Sequence, residues 1–91
     1  MMMEEFKGTS GEWIYVPELG EVRSVDNGVL AEVVVNGEED DNGSLMSAAP
    51  ELLKALQGTL DIIKAGPNVN YLRRYGAVTR ANEAIAKALR K

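Results

Sequence analysis

The chain has 91 residues, a net charge of −4, and neither cysteine nor histidine. Its length suits one domain, burying only roughly 60–65% of its unfolded surface. Its composition excludes disulfides, thiolate chemistry and histidine-based acid–base catalysis or metal ligation. Charge is split along the chain. Residues 1–51 hold twelve acids and two bases (−10), and residues 52–91 hold eight bases and two acids (+6), which together give −4. The halves are expected to neutralise one another within one small domain, or between two copies.

Met1 to Lys7 has no basic segment followed by an apolar run, so it does not read as a signal peptide. No apolar stretch approaches the ~20 residues that span a bilayer. We expect no membrane contact and a cytoplasmic place in a bacterial cell. Residues 1–10 are expected as a flexible tail and 11–91 as a single domain, with the sheet in 11–37 and the helices in 40–91.

Glu12 to Val16 is rich in aromatic and β-branched residues and predicts a strand that Pro17 ends. Glu21 to Val25 predicts a second, weaker strand. Asp26-Asn27-Gly28 is a hairpin signal, because asparagine and glycine tolerate positive φ. Val29 to Val35 predicts the third strand, with Val29, Ala31, Val33 and Val35 on one face and Leu30, Glu32 and Val34 on the other.

The acids Glu38, Glu39, Asp40 and Asp41 lack the spacing of a calcium loop and read as the entry to a helix, capped by Asp41 or Asn42. A short helix or turn is expected over residues 42–49. Pro50 then opens a longer helix that Gly66-Pro67 ends. Its apolar stripe is Leu52, Leu53, Leu56, Leu60 and Ile63, led into by Leu45 and Ala49. After the loop Asn68-Val69-Asn70, a last helix runs from Tyr71 to Leu89. Its stripe is Leu72 or Tyr71, then Tyr75, Val78, Ala81, Ile85, and Leu89 or Ala88. Gly76 inside it predicts a close approach to the preceding helix.

The fold expected is α+β, a three-stranded antiparallel meander followed by a helical hairpin (β-β-β-α-α) packed on one sheet face. The opposite face, with Leu30, Val34, Ile14 and Val16, is then expected to be covered by a second copy in a homodimer.

Several residues resemble a group of small uncharacterised phage and prophage proteins. They are Gly11-Glu12-Trp13, the Asp-Asn-Gly turn, the acidic run and the block from Asn42 to Leu56 around Ala48-Ala49-Pro50-Glu51-Leu52-Leu53. The segment Ala81 to Leu89 is similar to their helical tail. This chain departs from the group's usual pattern at Glu12, where it has proline, and at Gly43-Ser44, where it has Ala-Arg. The resemblance implies phage origin, small size, an accessory role and no catalytic residues.

Neither G-x-x-x-x-G-K-[ST] nor G-x-G-x-x-G is present, so no cofactor is expected, and no metal. The chain is expected not to be an enzyme. Its candidate protein-binding residues are Trp13, Tyr15, Glu38, Glu39, Asp40 and Asp41, an aromatic pair beside an anionic surface. The partner expected is the chain itself or a host or phage protein. The alternative is a small nucleic-acid-associated protein using Arg73, Arg74 and Arg80 on the basic last helix. The acidic whole chain opposes it, so nucleic acid is not the expected partner.

Overall fold

The computed structural model describes residues 5–91. Three strands, β1 (Trp13–Val16), β2 (Glu21–Ser24) and β3 (Gly28–Glu32), form an antiparallel sheet in the order β1-β2-β3. Three helices follow, α1 (Glu39–Ser47), α2 (Ala49–Ala65) and α3 (Tyr71–Ala88). The expected α+β meander is present, and the short segment before Pro50 is a helix of its own. The first four residues of the expected tail lie outside the described residues. The rest of it runs back along β1: the Trp13 indole N–H donates to the Thr9 carbonyl at 3.1 Å, and the Phe6 ring meets Trp13 edge-on.

The third strand is shorter than its valines suggest. Val22 pairs with Ala31 and Arg23 with Val29, so Leu30 is a bulge residue opposite nothing. A bulge shifts the alternation by one. Ala31 therefore shares the inner face with Val22, whereas Val29 turns outward beside Arg23 and is 48% exposed. The expected face of Val29, Ala31, Val33 and Val35 is thus split, with Val33 buried and Val35 solvated.

The layer on the sheet is α1, not the hairpin. Helix α1 packs on β1 and β2, while α2 packs on α3 and α1. The expectation that the hairpin covers the sheet is corrected accordingly. Only the last turns of α3 reach the sheet side, where the Lys87 ammonium donates to the Trp13 carbonyl at 2.9 Å. The molecule is consequently long, 47 × 26 × 18 Å.

Helix α1 starts at Glu39, so Asp41 and Asn42 lie inside it rather than capping it. The Glu39 carboxylate reaches back to the backbone N–H groups of Asn36 and Gly37, at 3.0 and 2.9 Å. Pro50 sits in the first turn of α2, after Ala49, and its missing N–H separates the α1 ladder from the α2 ladder. Gly66 ends α2 at φ 82°, and the Asn70 side chain caps α3 by accepting from the Leu72 N–H at 2.6 Å.

The hairpin closes through small side chains. The buried side of α3 is Ala77, Ala84 and Ala88 with half-buried Ala81, and that of α2 is Ala55 with half-buried Leu52, Thr59 and Ile62. The stripe expected as core is turned outward: Leu56 is 67% exposed and Ile63 69%. On α3, Tyr75, Val78, Ile85 and Leu89 are likewise exposed. Gly76 makes room for an arginine rather than for α2, since the Arg80 guanidinium lies over Gly76 and Gly58.

Gly43 does need to be glycine. A Cβ there would overlap the Tyr15 ring, whereas at Gly58 or Gly76 it would meet only Arg80 at ordinary contact distance. Gly43→Ala should therefore destabilise by about 1–3 kcal/mol through overpacking, despite the better helix former. Gly58→Ala and Gly76→Ala should each stabilise by up to about 1 kcal/mol. Urea unfolding midpoints of the three variants check the opposite signs.

Candidate functional site

Of the aromatic and acidic candidates, Tyr15 and Asp40 meet where α1 packs on β1. Trp13 and Tyr15 share the inner sheet face with Ser24 and Val22, their cross-strand partners, and both are half-buried. Alternation on a strand places them together, and the absence of a side chain at Gly43 lets the Tyr15 ring lie against the helix. Its hydroxyl then donates to Asp40 Oδ1 at 2.7 Å.

This contact sets the electrostatics of the corner. The hydrogen bond to the Asp40 carboxylate, with partial burial and the nearby charges of Asp40 and Glu39, pushes the Tyr15 phenol up to about 12. Asp41 accepts from Arg90 at 2.9 Å, and that bond raises the guanidinium's own proton affinity. Glu39 holds the chain before the helix, as described above. Of the four acids, three are thus engaged within the molecule, and the fourth, Glu38, is exposed with its backbone N–H on the Asn36 side chain at 2.9 Å.

Opposite charges from the two halves of the chain are neighbours. Arg90 pairs with Asp41, and Lys87 with Glu51 at 3.0 Å and Glu12 at 3.9 Å. These are three of the five ion pairs among the described residues, so part of the charge split is neutralised inside one protomer. One oxygen of Glu51 is buried without a hydrogen-bond partner.

The arginines of the last helix do not form one patch. Arg73 pairs with Asp61 at 2.6 Å, Arg74 donates to the Gly66 carbonyl at 3.3 Å, and Arg80 lies over the two glycines between the helices. Arg73 and Arg80 share a helix face, from which Arg74 is rotated by about 100°. Among the described residues no group of acids, histidines or cysteines is placed to hold a metal ion. A groove of about 740 Å³ lies between the N-terminal segment and α2, lined by Phe6, Thr9, Pro50, Leu53 and Arg80.

What the sequence reading missed is the apolar surface of the hairpin. Among the described residues nineteen large apolar side chains are exposed, ten of them between Leu53 and Leu89, against a buried core of two valines and five alanines. Single exposed leucines are ordinary, but along α2 and α3 exposed apolar side chains recur at helical spacing as a stripe. Tyr71 and Tyr75, stacked with ring centroids 6.3 Å apart, stand at one end of it. The signal was in the sequence, since each helix carries two parallel stripes, but the larger one was assigned to the core.

Raising Tyr15 above the ordinary tyrosine value of 10 fixes a pH dependence. Because the folded pKa is the higher, the Tyr15–Asp40 contribution is complete below pH 10 and lost as pH rises toward 12. An ultraviolet titration should show one tyrosine ionising late, together with loss of helix signal, and this phase should vanish in Tyr15→Phe.

The family model described as Salmonella phage P22 protein Y8K6 matches residues 1–91. No curated protein sequence and no solved structure matches the chain.

Proposed function

For a chain that belongs to the family of Salmonella phage P22 protein Y8K6, we propose a non-enzymatic accessory role carried out by protein–protein contact. The contact surface is the outward apolar side of the α2–α3 hairpin. The observation that carries this reading is the inversion of the helices: they meet through alanines and present leucine, isoleucine, valine and tyrosine to the outside. Covering such side chains contributes about 25 cal/mol for each Å² removed from water. Tyrosines beside aliphatic residues are typical of the positions that dominate binding energy. The aromatic and acidic corner of Trp13, Tyr15 and Glu38 to Asp41 is secondary in this reading, because its groups are occupied within the fold. Its exposed carboxylates steer a basic partner more than they hold one.

The reading is tested with a photo-crosslinking residue at Val78 or Leu56 in phage-infected bacteria. Discrete protein adducts are expected at these positions, with few from Val35, which is more solvated than either but off the hairpin. A phage carrying Leu56→Glu and Val78→Glu should behave like one lacking the protein. Absence of adducts, together with wild-type behaviour of that phage, would overturn the proposal. Salt-dependent retention on DNA, lost with Arg73→Ala and Arg74→Ala, would replace it by the nucleic-acid reading.

A further inference from the structure

We propose that the chain forms a symmetric dimer in which the outward seam of α3 pairs with the same seam of a second copy, parallel and in register at Asn82. This rests on the protein-contact reading and names the partner.

The seam is Tyr71, Tyr75, Val78, Asn82, Ile85 and Leu89. Its spacings alternate four, three, four, three and four, the 3.5-residue repeat that keeps a stripe on one side of a supercoiled helix pair. All six residues are exposed, with Tyr71 at 74% and Val78 at 58%. Their stretch of α3 is roughly 27 Å long at 1.5 Å per residue, enough for a two-helix contact of five turns.

Asn82 is the one polar member of the seam. A single asparagine at a core position of a helix pair costs stability and fixes the register. In a parallel pairing its amide meets the twin amide across the two-fold axis, where donor and acceptor are both satisfied. An antiparallel pairing centred on the seam sets it against Val78 and leaves the amide unpaired. The flanking positions are Leu72, Arg74, Thr79, Ala81, Ala86 and Ala88, so only Arg74 repeats a charge near the axis.

Area and shape identify a second copy as the cover. The chain exposes 6631 Å². A compact monomer of its mass exposes about 5,200 Å², so the excess is about 1,400 Å². A standard interface removes about 800 Å² from each partner, and obligate homodimers remove more. The radius of gyration is 15.2 Å, against about 12 Å for a compact chain of this length. A self-complementary seam satisfies the two-fold rule that both copies contribute the same surface. The outer sheet face is a poorer candidate, since Ile14 and Val29 are interrupted there by the Arg23–Glu21 ion pair.

Sedimentation equilibrium at micromolar concentration should give twice the 9.9 kDa of one chain. Val78→Glu and Ile85→Glu should each halve that mass while leaving the far-ultraviolet circular dichroism per residue near the wild-type value, because both side chains lie outside the monomer core. Asn82→Cys, in a chain with no other cysteine, should form a covalent dimer on mild oxidation. A wild-type mass of one chain overturns the proposal, as does a dimer that survives both glutamates and forms no disulfide. A monomer that still gives discrete adducts with another protein from Val78 sinks the dimer and leaves the functional reading standing. A monomer without adducts sinks both.

Discussion

The alanine contact between α2 and α3 is the constraint on which the rest of the molecule depends. Ala55 on one helix and Ala77, Ala84 and Ala88 on the other are small enough for the backbones to come close. Each large residue sits one position further along, about 100° around the helix. The hairpin therefore keeps most of its bulky side chains on the outside, with Leu52 and Ile62 half-buried beside Ala55. In a domain with so small a core, that arrangement leaves much of the apolar side-chain surface of α2 and α3 exposed.

The sheet is held by a different device. Helix α1 covers it alone, and the seat is specific: the Tyr15 ring on Gly43, with its hydroxyl on Asp40. A glycine within a helix ordinarily costs stability. Here it is offset by an aromatic ring that fills the place of the missing side chain. The bulge at Leu30 sets Ala31 opposite Val22 on the inner face, and pairing ends at Glu32 because its partner strand begins at Glu21.

Charge ties the two parts together. Lys87 lies at their junction, bonded to the β1 backbone at Trp13 and to Glu51 of α2. Its side chain is 28% exposed, so this pair is less screened than one on an open surface. Arg90, in the left-handed region at φ 64°, takes the place where glycine usually closes a helix. The Lys91 N–H on the Ala86 carbonyl and the Arg90 N–H on Lys87 complete that closure and bring the guanidinium to Asp41. Through Lys87 and Arg90 the basic end of the sequence is joined to Glu12, to Glu51 of α2 and to Asp41 of α1.

Local chemistry was enough for the order of the elements and for several of their limits, though not for the end of β3 at Glu32 or the start of α1 at Glu39. The Asp-Asn-Gly turn, Pro17, Pro50, the Gly66-Pro67 stop and the Asn70 cap act on backbone dihedrals and hydrogen bonds within a few residues, so they are legible in one dimension. The absence of cysteine and histidine was equally decisive about chemistry. What only the tertiary structure decided was which stripe faces inward. On α2 the stripes Leu52, Ala55, Thr59, Ile62 and Leu53, Leu56, Leu60, Ile63 have the same spacing, and on α3 Ala77, Ala81, Ala84, Ala88 runs beside Val78, Asn82, Ile85, Leu89. Periodicity cannot choose between two stripes of one period. The choice was made by how closely two helices can approach, a property of both surfaces together that neither segment carries alone.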